Sequence, residues 1–133
     1  MGFDPPGLAA VLRDLSRRWQ LTVGEPIRHD GMCGWVAPAR TAAGAEVVLK
    51  LARRDTESRH EAEGLRRWAG AGTALLHRTE DRDDMHVLLL ERCVPGTMLR
   101  HALPEREQDA VVAGLLCRLW QPAGRPFRPL HEM

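Results

Sequence analysis

Apolar residues recur three and four positions apart at Leu8, Val11, Leu12, Leu15 and Trp19, the spacing of a single helix face. This predicts a helix capped by Asp4, with Pro5 and Pro6 in its first turn, where a missing N–H is tolerated. Residues 21–29 read as a weak strand interrupted by Gly24 and Pro26, 35–40 as a second strand and 45–52 as a third, with turns at 30–34 and 41–44. Between 55 and 69 the helical period returns, and Gly70 and Gly72 stop it. Residues 75–77 and 86–92 make two more strands around the polar turn 80–84, and Val94-Pro95-Gly96 breaks the last. A helix over 105–120 follows, with Val112, Leu115, Leu116 and Leu119 on its apolar face, whereas 121–133 is rich in proline and arginine and has no period.

The predicted order is helix, three strands, helix, two strands, helix. Short connections join strands one to three and four to five, so the sheet is antiparallel and the class is α+β rather than a doubly wound parallel fold. A length of 133 residues sets the scale at about one domain. The formal net charge of +1 and the sparse aromatics, 5% of residues, disfavour a nucleic-acid partner; the arginines at 13, 17 and 18 read as a solvated helix face. No apolar run is long enough to span a bilayer, and the N-terminus lacks a signal-peptide pattern, which points to a cytoplasmic protein without a membrane partner. Cys33, Cys93 and Cys117 are odd in number and lack C-x-x-C spacing; the expectation is buried free thiols rather than disulfides or zinc. His29 and His86 have no second ligand at metal spacing, so no metal site is assigned.

Chemistry concentrates at Lys50, which ends the run Val47-Val48-Leu49. There its stem can lie on an apolar surface while the ammonium projects, although a lysine ending a strand also serves as edge protection. Residues 58, 61, 65 and 68 share a helix face with Leu65 and Trp68, so Glu61 points inward and needs a cation, for which Lys50 is the candidate; Glu63 points away. The alternative is a capping box over Ser58-Arg59-His60-Glu61, in which Glu61 reaches back to the helix start.

The element order is similar to the small lobe of the protein-kinase fold: five antiparallel strands with a helix inserted between the third and fourth, here preceded by an N-terminal helix and followed by a C-terminal one. In such a lobe a third-strand lysine meets the ATP phosphates and a glutamate of the inserted helix pairs with it. The likeness assigns nucleotide contacts to Lys50 and Glu61. It adds Gly31 and Gly34 of the segment at the glycine-loop position, where G-x-x-G also fits an ordinary hairpin turn, and Glu91 and Cys93 of a hinge acting through backbone groups.

The stretches Val48-Leu49-Lys50-Leu51, His60-Glu61-Ala62-Glu63-Gly64-Leu65-Arg66-Arg67-Trp68-Ala69-Gly70, Leu88-Leu89-Leu90-Glu91-Arg92-Cys93 and Phe127-Arg128-Pro129-Leu130 resemble the aminoglycoside and hydroxyurea phosphotransferases, a family that includes streptomycin 6-kinases. The resemblance implies ATP-dependent phosphorylation of a hydroxyl on a small-molecule antibiotic, with magnesium as cofactor. It also implies an organisation of N-terminal helix (1–20), ATP-binding small lobe (21–93) and hinge, helix and start of a large lobe (94–133). No H-x-D-x-x-x-x-N or D-F-G segment occurs in the 133 residues, so no catalytic residue and no magnesium ligand is assigned. The expectation is a truncated chain that binds ATP and is inactive alone. The competing expectation is a non-enzymatic kinase-like module that self-associates or binds a partner through the face a large lobe would cover.

Overall fold

The computed structural model describes residues 4–27 and 34–132. Helix α1 (Leu8–Trp19) starts after a turn in which the Leu8 N–H donates to the Pro5 carbonyl at 3.1 Å, and Gly7, at φ 67°, occupies the cap position. The predicted Asp4 cap is therefore not formed. A residue before proline is driven out of the helical region, so a helix cannot run back through Pro6 into Pro5.

Strands β1 (Leu21–Val23), β2 (Gly34–Thr41) and β3 (Glu46–Arg53) form a meander. Helix α2 (Glu61–Trp68) leads to the hairpin of β4 (Leu76–Asp81) and β5 (Met85–Glu91). β5 pairs with β3, giving the all-antiparallel order β1-β2-β3-β5-β4, an α+β lobe with its helix inserted between the third and fourth strands as expected. Helices α3 (Leu99–Ala102) and α4 (Glu105–Leu119) and a single 3-10 turn (Leu130–Glu132) complete the described chain. The periodicity located α4 and gave no sign of α3 or of the last turn.

Strand alternation sorts the sheet into two faces. Val47, Leu49 and Leu51 of β3, Met85, Val87 and Leu89 of β5, and Ala39 of β2 form one core with Leu21 and with Leu15 and Trp19 of α1. Each large aliphatic side chain buried there contributes about 1.5–3 kcal/mol. The opposite face carries Lys50, whose register partners are Val36 on β2 and Leu88 on β5.

α1 is also held by charge. The Arg18 guanidinium donates to both carboxylate oxygens of Glu80 at 2.8 Å and to Asp14 at 2.9 and 3.0 Å, and Arg82 bonds to both acids. Bonding to Arg18 and then Arg82 lowers the Asp14 carboxyl from 3.8 to about 2, and Arg18 likewise lowers Glu80. Arg18 is thus an anchor between helix and hairpin rather than part of a freely solvated face.

Several predicted boundaries move. β1 ends at Val23 because Gly24 and Pro26 interrupt it, although the Gly24 and Ile27 N–H groups still donate to the Pro38 and Val36 carbonyls; residues 28–33 lie outside the description. β4 runs through Glu80 and Asp81, expected to be turn, because Thr79 Oγ1 bonds the Val87 carbonyl and Arg18 and Arg82 hold Glu80. Cys93 and Cys117 are free as expected but exposed rather than buried, since Cys93 lies past the end of β5 and Cys117 sits on α4, which buries no residue.

Candidate functional site

Residues 55–60, predicted to be helix, form a series of turns. The Asp55 carboxylate accepts the N–H groups of Ser58 at 2.8 Å and Glu57 at 3.0 Å, and bonding to Ser58 above all lowers its pKa. Side chains of this kind offer the backbone an alternative to the helix, which delays the start of α2 to Glu61. Ser58 Oγ bonds the Arg53 carbonyl, and His60 caps α2 without a side-chain bond, so the capping box is not made.

Glu61 therefore stands at the first residue of α2 with its carboxylate turned to β3. Lys50 Nζ donates to Glu61 Oε1 at 2.6 Å, with side-chain exposures of 23% and 29%. Lys50 is the single lysine of the chain; all the other residues counted among its 19 Lys and Arg are arginine. A part-buried ammonium fixed by one carboxylate oxygen keeps donor capacity for an anion such as a phosphate.

The surroundings extend what the sequence indicated. Gly34 opens β2 beside the pair: a Cβ there would lie 3.5 Å from Lys50 Cε and 2.9 Å from the Leu51 carbonyl oxygen. Gly31 falls outside the described residues. Val36, Val48 and Leu90, half-buried on the Lys50 face, form an apolar surface between Lys50 and the end of β5. Sequence reasoning did not single them out, although strand alternation carries the signal: each lies an even number of positions from Lys50 or from one of its cross-strand partners.

Glu91 pairs with Val47, three ladder steps or about 10 Å along β3 from Lys50. Its N–H donates to the Leu75 carbonyl at 2.8 Å and its carboxylate accepts the Leu75 N–H at 3.0 Å, so side chain and amide both serve the sheet. Cys93 lies beyond the strand, where Glu91, Arg92, Cys93, Val94 and Thr97 line an open groove of about 840 Å³. Among the described residues no group of three or more His, Cys, Asp and Glu could hold a metal ion. His86, buried on β5, is occupied by Asp81 at 2.6 Å; His29 is outside the described residues. No helix among the described residues is long and apolar enough to cross a membrane.

On α4, Leu115 and Leu119 pack against Gly72, while Val112 and Leu116 are exposed. The apolar stripe is thus half covered by the loop that follows α2.

Comparison with known proteins finds relatives along most of the chain. The chain is 41% identical over 116 residues to a hydroxyurea phosphotransferase of Kitasatospora aureofaciens, covering 85% of this chain and 33% of that protein. It is 32% identical over 128 residues to a streptomycin 6-kinase of Streptomyces griseus, covering 96% of this chain and 41% of that one. The chain therefore spans between a third and about two-fifths of the length of these relatives. Residues 18–133 match the model of the aminoglycoside/hydroxyurea antibiotic resistance kinases, and the chain belongs to that family.

Proposed function

We propose that this chain forms the ATP-binding part of a phosphotransferase acting on a hydroxyl group of a small molecule of the hydroxyurea or aminoglycoside kind. The observation that carries the reading is the 2.6 Å Lys50–Glu61 pair on the sheet face that also bears Val36, Val48 and Leu90. Lys50 would donate to phosphate oxygens, with Glu61 fixing its direction. The apolar surface would receive the base, and the Cys93 backbone and the Glu91 carbonyl would meet its edge. Magnesium supplies charge neutralisation at the phosphates when bound, and in this reading it arrives with the nucleotide rather than on ligands among the described residues. Gly34 keeps the strand backbone close beside the lysine, and Gly31 would belong to the loop over the phosphates. The 133 residues contain no H-x-D-x-x-x-x-N segment to position an attacking hydroxyl, so this stretch by itself binds nucleotide without transferring phosphate.

Titration of magnesium-ATP against wild type and Lys50→Ala tests the assignment. Loss of one charge-assisted hydrogen bond, about 1.5–3 kcal/mol, weakens binding by about tenfold or more. Equal affinities would remove Lys50 from the phosphate site.

A further inference from the structure

The placement of Glu61 depends on α2, and α2 is poorly held by the sheet. It is eight residues long and Gly64 is its one buried residue. Between it and strands β4 and β5 lies a cavity of about 300 Å³, bordered by Ala62, Glu63 and Arg66 on one side and Thr79, His86 and Leu88 on the other. A short helix facing an unfilled space is not fixed by packing on that flank.

Its other flank is gripped by residues 119–128. Trp68 Nε1 donates to the Leu119 carbonyl at 3.0 Å, and Arg67 Nη1 to the Pro122 carbonyl at 3.1 Å. The Arg67 guanidinium lies 5.0 Å over the Phe127 ring, and His60 meets that ring edge-on at 6.2 Å. Phe127 sits against the bare face of Gly64, where a Cβ would be 3.8 Å from its Cε1. Arg128 reaches Glu57 at 3.4 Å, just before the helix. These contacts touch the start, middle and end of α2, and Phe127 is the side chain common to the start and the middle.

We infer that Phe127 is a positioning residue: by clamping α2 it keeps Glu61 against Lys50, and through that pair it acts on the nucleotide site. The effect on nucleotide rests on the reading of Lys50 given above; the clamp itself does not. Because Lys50 is the only lysine, its exposure can be followed without any ligand, through acylation by an amine-reactive ester and peptide mass spectrometry, with the α-amino group as internal reference. Glu61→Gln releases Lys50 and sets the upper rate. Phe127→Ala is expected to raise the labelling rate about fivefold or more, the range of a typical coupling between sites. Phe127→Tyr, which keeps the ring, restores the slow rate. The double variant Glu61→Gln/Phe127→Ala labels no faster than Glu61→Gln alone, because both act through one pair. Wild-type labelling of Phe127→Ala, or multiplicative rates in the double variant, would overturn the clamp. Should Phe127→Ala fail to fold, Arg67→Ala removes the stacked cation and the bond to Pro122: faster labelling supports the clamp and an unchanged rate overturns it. Magnesium-ATP titration of Lys50→Ala reports separately. If that variant binds as wild type while Phe127→Ala still exposes Lys50, the nucleotide reading fails and the clamp stands.

Discussion

Two glycines in the neighbourhood of the Lys50–Glu61 pair do opposite things, and substitution separates them. At Gly34 a Cβ would be 2.9 Å from the Leu51 carbonyl oxygen, a backbone atom held in the β2–β3 ladder. Gly34→Ala must therefore shift one strand, and the expected cost is about 1–3 kcal/mol, seen as a lower urea midpoint. At Gly64 the nearest atoms to a Cβ are Trp68 Cζ3 at 3.4 Å and Phe127 Cε1 at 3.8 Å, ordinary contact distances. Alanine is the better helix former by about 1 kcal/mol, so Gly64→Ala leaves the midpoint unchanged or raises it. A lower midpoint for Gly64→Ala than for Gly34→Ala contradicts this. In the sequence both residues are simply glycine, and Gly34 drew attention as a possible phosphate-loop member; its close approach to Leu51 is a cross-strand fact that no local pattern contains.

At the scale of elements, α1 is joined to the β4–β5 hairpin by acids whose titration makes the junction sensitive to pH. Asp14 is lowered from 3.8 to about 2 and Glu80 is lowered from 4.5. A carboxyl with a depressed folded-state pKa binds protons more readily when unfolded, so its contribution is complete above the unfolded value and is lost as pH falls towards the folded one. Wild type is expected to lose stability between about pH 4.5 and 2 more steeply than Asp14→Asn/Glu80→Gln, read from thermal midpoints at a series of pH values. Asp55, also lowered, titrates in both proteins and cancels in the comparison. Parallel curves would show that the junction contributes nothing measurable. The elements themselves were legible where period and burial coincide, as in α1, β3 and β5, and α4 was legible from its period alone. They were not legible where a side chain decides: Asp55 draws residues 55–60 out of α2, Pro5 and Pro6 move the start of α1, and Arg18 carries β4 past its predicted end. The Lys50–Glu61 pair was readable because strand alternation and helix face each constrain a single direction. The contact of residues 119–128 with α2 was not, because an aperiodic segment gives no face to assign.

At the scale of the whole molecule, the apolar core of the described residues lies on the α1 side of the sheet, and much of what lies outside it depends on weaker ties. Leu15, Leu49, Leu51, Val47 and Val87 are fully buried in the sheet and against α1, whereas α4 buries no residue and leaves Val111, Val112 and Leu116 exposed. Helix hydrogen bonds without packed cover open at low cost, while those of central strands open only with the core. Amide exchange should therefore fall into three tiers. The slowest amides belong to β3 and β5, which pair with each other and are flanked by β2 and β4. α4 exchanges fastest. α2 lies between, protected by the Lys50–Glu61 pair on one side and by Phe127 and its neighbours on the other. If α2 drew its stability from the sheet, Phe127→Ala would leave its exchange where it was. If residues 119–128 supply the hold, the same substitution moves α2 towards the α4 tier while β3 and β5 keep their protection, and hydrogen-exchange mass spectrometry on peptides spanning 61–68 distinguishes the two. A variant in which β3 slowed or quickened together with α2 would mean that sheet and helix open as one unit, and the separation of tiers would be wrong.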